Sequence, residues 1–113
     1  MNVAVLLGFA SALLAPSLAV PPTLNATVGP GFDIALTRGG KAVHQLKAGT
    51  YRIKVVDKSD IHNFHMTGSG VDVMSEVGSQ EDEDYPITLV AGSYHYQCDP
   101  HSSQMNGDFE VTG

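Results

Sequence analysis

Apolar and polar residues alternate over short segments along most of the chain after residue 20, a pattern typical of β-strands with one buried face. In the segment Tyr51–Asp57, for example, Tyr51, Ile53 and Val55 are expected to face the core while the basic residues between them face water. Similar patterns occur at residues 24–28, 32–37, 42–46, 61–66, 86–90, 93–98 and 107–112. Together they predict about seven to eight strands.

Glycine and proline separate these segments, and the chain contains 12 Gly and 6 Pro among its 113 residues. Gly39-Gly40 predicts a hairpin turn, and Gly29-Pro30-Gly31 is expected to end the first strand. No segment has a sustained helical period, and the polar residues from 71 to 84 are predicted to be the least regular part of the chain. A single all-β domain, a sandwich or a barrel, is therefore expected.

The N-terminal segment differs from the rest because residues 1–24 contain no charged side chain. An apolar run followed by Pro16 and Ser17-Leu18-Ala19 predicts a secretory signal at residues 1–19, cleaved near Ala19, although no basic residue precedes the run. An uncleaved anchor is the alternative, and only then would the protein contact a membrane. Both interpretations predict a periplasmic or secreted protein. Residues 20–31 then form a lead-in with the first strand, and residues 32–113 form the main domain.

Charge and cysteine content exclude several classes of protein. The chain has 6 Lys+Arg against 12 Asp+Glu, a net charge of −6, so nucleic acid is not an expected partner. The single cysteine, Cys98, excludes an internal disulfide and any four-cysteine metal site. A free thiol is unusual in an exported protein, so we expect Cys98 to be occupied by a bound group.

Cys98 ends a predicted strand and begins a loop that contains further metal-binding side chains. Alternation places Cys98 on the inner face together with Tyr94 and Tyr96, which are expected to be core residues. The loop then supplies His101 and Met105, in the pattern C-x2-H-x3-M. This loop therefore offers a thiolate, an imidazole and a thioether.

A second segment, Ile61–Met66, contains two histidines of which one is expected to face inward. Alternation groups His62 with the apolar residues Phe64 and Met66, so His62 is preferred over its rival His65. At the start of this strand His62 would lie at an open end of the sandwich, where an ion can bind. The remaining histidines, His44 and His95, are expected at the surface.

The two segments together offer a set of donors that selects copper. A trigonal plane of two histidines and one cysteine, with a weak axial methionine, is the arrangement of blue-copper electron-transfer sites. Zinc fits less well, because methionine is not among its usual ligands and structural zinc sites use more cysteines. One copper ion is therefore the expected cofactor.

These residues also resemble the motif of a known family. His62-Asn63, followed by Gly92-x-Tyr94-x-Tyr96-x-Cys98-x-Pro100-His101-x3-Met105, is similar to the cupredoxins of the plastocyanin/azurin group, including small bacterial plastocyanin-like domains. The resemblance covers roughly residues 32–113. It implies a Greek-key β-sandwich that binds one type 1 copper ion, with His62, Cys98, His101 and Met105 as ligands.

The resemblance also implies a layer of residues that supports the ligands. Asn63 is expected to form a hydrogen bond near Asp99, which joins the two ligand segments, and Pro100 lies beside them. Plastocyanins have four residues between the second histidine and the methionine, whereas this chain has three, Ser102–Gln104. We expect this difference to change the axial bond and the reduction potential rather than the identity of the metal.

Charge is distributed unevenly along the chain. All six basic residues precede residue 59, and ten acidic residues follow it. The densest acidic run consists of Glu81, Asp82, Glu83 and Asp84. This run is either a solvated loop or a docking surface for a basic redox partner such as a cytochrome or a copper enzyme.

The sequence thus predicts an exported, monomeric protein that carries single electrons between protein partners and is not an enzyme. Cys98 and His101 could form a nucleophile–base pair, but no orienting acid or oxyanion donor accompanies them. The remaining histidines do not supply the clusters of a copper oxidase. The alternatives are a protein for copper delivery or storage, and a metal-free interaction domain.

Overall fold

The computed structural model describes residues 20–113, so the predicted signal segment lies outside the described part of the chain. The strands are β1 (Thr23–Val28), β2 (Ile34–Arg38), β3 (Lys41–Ala42), β4 (Gln45–Lys47), β5 (Gly49–Asp57), β6 (His65–Gly68), β7 (Val71–Met74), β8 (Glu81–Leu89), β9 (Gly92–Gln97) and β10 (Asn106–Thr112). A short 3₁₀ turn, Asp99–His101, follows β9. Within residues 20–113 no helix has the length and apolar character needed to cross a membrane.

These strands form two five-stranded sheets that enclose the core. The first sheet has the order β3-β2-β1-β5-β8, and the second has the order β4-β10-β9-β6-β7. Neighbouring strands are antiparallel except for β1 with β5 and β4 with β10, which are parallel. The predicted β-sandwich is confirmed, with ten strands instead of seven to eight.

Inward-facing side chains of the two sheets fill the core as the alternation predicts. Tyr51, Ile53 and Val55 of β5 are buried. In the second sheet Tyr94 is buried and stacks on Phe109, with ring centroids 5.2 Å apart and planes 15° apart. Such stacked pairs stabilise a core beyond the area that they bury.

The prediction of an irregular stretch at residues 71–84 holds only for residues 75–80. Residues 71–74 form β7, and the acidic run from Glu81 to Asp84 begins the nine-residue strand β8. β8 pairs along its whole length with β5, from Asp57 opposite Glu81 to Gly49 opposite Leu89. Aspartate and glutamate have low strand propensity, but pairing with an apolar central strand overrides that preference.

Three other predicted strands have different bounds in the structure. The segment at 42–46 is divided, because β3 pairs with β2 in the first sheet while β4 pairs with β10 in the second. Phe32 precedes β2 and is exposed. The segment at 61–66 becomes a strand only from His65 onward, although His62 and Phe64 are buried as predicted.

Candidate metal centre

Cys98 is the first residue after β9 and is fully buried. The 3₁₀ turn that follows brings the chain back on itself, since the His101 N–H donates to the Cys98 carbonyl at 3.1 Å. The Cys98 N–H in turn donates to the Met105 carbonyl at 3.0 Å. These backbone hydrogen bonds close residues 98–105 into one compact loop, so three of the four predicted ligands share a local scaffold.

His62 reaches the same place from the segment between β5 and β6, and its side chain has no exposed surface. Gly29 lies against the imidazole ring. A Cβ atom at Gly29 would lie 3.2 Å from His62 Cδ2 and 3.0 Å from Ser59 Cβ, and the backbone φ is +69°. Close approach and left-handed backbone both require glycine at this position.

The three donor atoms form a nearly isosceles triangle. Cys98 Sγ lies 3.6 Å from both His62 Nδ1 and His101 Nδ1, and the two nitrogens are 3.1 Å apart. A point equidistant from the three atoms lies about 2.0 Å from each, close to the length of a bond from a metal ion to imidazole nitrogen. Within residues 20–113 no other group of three His, Cys, Asp or Glu side chains converges in this way.

Met105 lies at the end of the loop that begins with Cys98. Its side chain is fully buried, and its backbone N–H donates to the His101 carbonyl at 2.9 Å. Pro100 and the three residues before Met105 are exposed, so the loop turns its polar side chains to solvent and its thioether inward. The donor set is thus two imidazoles, one thiol and one thioether, in surroundings from which water is largely excluded.

Asn63 joins the two segments that carry the donors. Its Oδ1 accepts the Asp99 backbone N–H at 2.7 Å, and its Nδ2 donates to Asp99 Oδ2 at 2.9 Å. The same Nδ2 lies 3.3 Å from the Ser75 carbonyl oxygen. Because Asn63 follows His62 and Asp99 follows Cys98, these bonds fix the separation of the two backbones beside the donors.

Phe32 covers both imidazoles, a role that the strand prediction missed. Its ring centroid lies 4.7 Å from that of His101 and 5.1 Å from that of His62, in edge-to-face geometry. More than half of Phe32 is nevertheless exposed, and His101 is half-buried. The signal available in the sequence was the Gly29-Pro30-Gly31 breaker, which places Phe32 in a turn before the strand.

Asp57 is a second residue that sequence analysis did not single out. Its Oδ2 and the Nε2 of His62 are buried without a hydrogen-bond partner, while its Oδ1 accepts the Ser59 N–H at 3.1 Å. Burial raises the pKa of Asp57, and its carboxylate is close enough to interact electrostatically with His62. Because neither Asp57 Oδ2 nor His62 Nε2 has a hydrogen-bond partner, Asp57 does not hold the imidazole of His62 through a hydrogen bond.

The other three histidines lie away from the triangle. His44 is exposed, and His95 is partly exposed on β9. His65, the rival of His62, points to the outer side of the second sheet, where Asp72 and Asp99 contact its ring nitrogens. The structure therefore brings His62, and not His65, to Cys98 and His101.

The acidic run on β8 begins at the same end of the sandwich as the donor triangle. Glu81 pairs with Asp57, which precedes His62 by five residues. Asp82, Glu83 and Asp84 are exposed, and Asp84 forms an ion pair with Arg52 at 2.5 Å. β8 is an edge strand of its sheet, so this acidic edge faces solvent.

Solved structures of blue copper proteins have the same architecture. Rusticyanin from Thiobacillus ferrooxidans is 21% identical, with a TM-score of 0.56 over 80% of this chain and 76% of that one. Auracyanin A, a "blue" copper protein from Chloroflexus aurantiacus, is 16% identical, with a TM-score of 0.51 over 82% and 100% of the two chains. A Cu(I) form of an amicyanin variant is 16% identical, with a TM-score of 0.51 over 84% and 87%.

The chain therefore has the cupredoxin fold, as its motif predicts. No protein-family model and no curated protein sequence matches it.

Proposed function

We propose that this protein is an exported cupredoxin that binds one copper ion through His62, Cys98, His101 and Met105 and carries single electrons between protein partners. The observation that carries the proposal is the donor triangle, whose centre lies about 2.0 Å from two imidazole nitrogens and one sulfur. Imidazole combined with soft sulfur donors favours copper over zinc, magnesium or calcium. The solved structures with the same architecture are blue copper proteins, which agrees with this choice of metal.

When bound, copper supplies a one-electron couple between Cu(I) and Cu(II). The residues of the chain hold the donors in one arrangement for both oxidation states. The loop at residues 98–105 is closed by backbone hydrogen bonds, and Asn63 joins that loop to the segment of His62. Because the donors move little, little reorganisation accompanies transfer of an electron, which favours fast transfer.

The environment of the triangle also suits a carrier. His62, Cys98 and Met105 are fully buried, so solvent has no direct access to the thiolate. His101 is half-buried under the exposed ring of Phe32, which makes this imidazole the shortest route from the centre to the surface. A partner docked over Phe32 would thus approach the donors closely.

The acidic edge on β8 supports docking of a basic redox partner, such as a cytochrome or a copper enzyme. Glu81, Asp82, Glu83 and Asp84 start at the end of the sandwich that carries His62. Negative charge near the electron exit would accelerate encounter with a positive partner, especially at low ionic strength. Weak, rapidly reversible complexes suit a monomeric shuttle.

We propose no enzymatic activity for the protein. Cys98 lies 3.6 Å from two imidazoles, but both imidazoles share the triangle, and Phe32 covers them. Cys98 is fully buried, so a substrate has no direct access to its sulfur.

A visible spectrum of the copper-loaded protein, before and after oxidation with ferricyanide, tests the proposal. We expect intense blue thiolate-to-Cu(II) absorption after oxidation and slow loss of copper to a chelator. Cys98→Ser should remove the colour and most of the copper affinity, whereas Ser103→Ala, on the exposed side of the same loop, should change neither. Colourless protein that prefers Cu(I) and releases it readily would favour copper delivery or storage. Failure to retain any copper would favour a metal-free interaction domain.

A further inference from the structure

A chain of hydrogen-bonded side chains crosses the outer face of the second sheet, on the side away from the core. It runs in the order Asp72, His65, Asp99, Gln97, His95 and Asp108. These residues belong to β6, β7, β9, β10 and the turn after β9. Of these six residues, the function proposed above involves only Asp99. The other members of the hydrogen-bond network require another explanation.

His65 is held between two carboxylates. Its Nδ1 lies 3.0 Å from Asp99 Oδ1 and 3.1 Å from Asp99 Oδ2, and its Nε2 lies 2.8 Å from Asp72 Oδ1. An ionised carboxylate can only accept hydrogen bonds, so both contacts are satisfied only when both ring nitrogens carry a proton. The geometry therefore favours the positively charged imidazolium of His65.

Gln97 and His95 extend the same pattern across β9. Gln97 Nε2 donates to Asp99 Oδ1 at 2.9 Å, which turns its Oε1 toward His95 Nε2 at 3.0 Å. His95 Nδ1 lies 2.7 Å from Asp108 Oδ1, so this imidazole also has an acceptor on each side. The charged groups that face His65 are thus Asp72 on β7, Asp99 in the turn and His95 on β9.

The pKa values of these groups shift in the directions that this geometry requires. Partial burial lowers the pKa of His65, but hydrogen bonds to Asp99 and Asp72 outweigh it, so the pKa is raised above its usual value. The hydrogen bond to Asp108 raises the pKa of His95. Partial burial raises the pKa of Asp99, but hydrogen bonds from Gln97, Asn63 and His65 outweigh it and hold the value below its usual range.

Asp99 connects this outer network to the donor triangle. It follows Cys98 directly, and it exchanges two hydrogen bonds with Asn63, which follows His62. A displacement of the Asp99 carboxylate therefore acts on both segments that carry the donors. His44, in contrast, is exposed between β3 and β4.

We propose that His65 is a positioning residue whose imidazolium, held between Asp72 and Asp99, fixes the turn behind Cys98 and makes the reduction potential of the bound copper depend on pH. The inference rests on the copper function proposed above. When His65 loses a proton, one carboxylate faces a nitrogen lone pair, and its hydrogen bond is lost. Loss of a nearby positive charge also favours the more positive, oxidised centre, so the potential falls as pH rises through the titration of His65.

Proton NMR of the metal-free protein tests the positioning role without copper. The His65 ring C–H signal is followed against pH together with the side-chain amide signals of Asn63. We expect His65 to titrate above pH 6.5, the usual midpoint for histidine, and the Asn63 signals to shift at the same midpoint. Asp72→Asn should lower that midpoint, whereas His44→Gln should leave it unchanged. If the Asn63 signals do not shift when His65 titrates, the positioning role is overturned.

Potentiometric titration of the copper-loaded protein between about pH 5 and pH 9 tests the second half of the inference. The wild-type potential should fall with rising pH, His65→Gln should remove most of that slope, and His44→Gln should retain it. A slope that persists in His65→Gln overturns the link to the potential. A protein that takes up no copper contradicts the proposed function instead, and the NMR result still decides whether His65 positions Asn63 and Asp99.

Discussion

His62 and His65 lie three positions apart on one segment, yet the fold gives them opposite surroundings. His62 is buried on the inner side, with Cys98 Sγ at 3.6 Å and a second imidazole nitrogen at 3.1 Å. His65 is partly exposed on the outer side, with carboxylate oxygens against both nitrogens. Lone pairs that converge on one point favour a metal ion, whereas negative charge at both nitrogens favours protons.

The difference shows that residue type and local spacing do not define a histidine's chemistry. Both residues are histidines next to apolar neighbours, and the residue type alone would allow either of them to be a metal ligand. What separates them is the charge and the direction of the groups contributed by distant strands. Substitutions at each histidine and around it can therefore separate the two environments.

Exchanging each histidine for alanine tests the comparison most directly. His62→Ala removes one corner of the triangle and should lower copper affinity by at least about 100-fold, with loss of the blue absorption. His65→Ala leaves the triangle complete and should retain the spectrum. Chelator competition and visible absorption measure both effects. The reverse result, with colour lost only in His65→Ala, would show that the wrong histidine had been assigned.

On the inner side of β6, the backbone at Gly68 packs directly against the ring of Tyr94. A Cβ atom at Gly68 would lie 2.0 Å from Cδ2 of Tyr94, a fully packed ring. Gly68→Ala should therefore lower the free energy of unfolding by about 3 kcal/mol, measured by urea denaturation. At Gly78 no atom lies within 4 Å of the added Cβ, and φ is not in the left-handed region, so Gly78→Ala is the matched control. Equal stability of the two variants would contradict the tight packing.

Replacing Met105 should change the reduction potential of the bound copper without changing which metal is bound. Met105→Leu keeps an apolar side chain of similar volume at a fully buried position, so the fold should be preserved. We expect the protein to stay blue while its reduction potential rises, because a weak axial donor that favours Cu(II) is lost. Cyclic voltammetry measures the change. An unchanged potential would indicate that the thioether does not interact with the ion.

The acidic edge should affect only the approach of a partner. Replacing Glu81, Asp82, Glu83 and Asp84 by their amides should leave the spectrum unchanged and slow association with a basic redox partner a few-fold at low salt. The salt dependence of the rate should become flatter. Stopped-flow kinetics at several ionic strengths measure this effect, with Glu110→Gln on β10 as a control outside the edge. If the association rate of the amide variant equals that of the wild type, the acidic run is a solvated strand without a docking role.

Much of the fold follows from local patterns, and the exceptions have physical causes. β1, β5, β9 and β10 combine alternation with glycine or proline at their ends, so the sequence predicts them closely. The first half of β8 was missed because its acidic residues form a strand only by pairing with β5. β7 was missed although Val71 and Val73 alternate with Asp72, because four residues are too short to stand out from the polar residues that follow. Phe32 was assigned to a strand, whereas it leaves the sheet and packs on two imidazoles.

His62 is buried as the alternation predicts, although the segment around it is not the regular strand that the prediction assumed. Alternation grouped it with Phe64 and Met66, and all three are buried. Residues 61–64 are not a strand, however, and Asn63, which alternation placed on the opposite side, is buried as well. The position of His62 therefore depends on the apolar contacts of its neighbours and on Gly29, more than on a regular strand period.

The local sequence is enough to specify three of the four predicted donors. Cys98, His101 and Met105 lie within eight residues, and a single turn with a few backbone hydrogen bonds is enough to gather them. The packing of distant strands places His62, 36 residues away from Cys98, with the other donors, and places His65 against Asp72 and Asp99 on the outer side. A turn is specified by neighbouring residues, whereas the approach of two segments far apart in the sequence depends on how two whole sheets pack together.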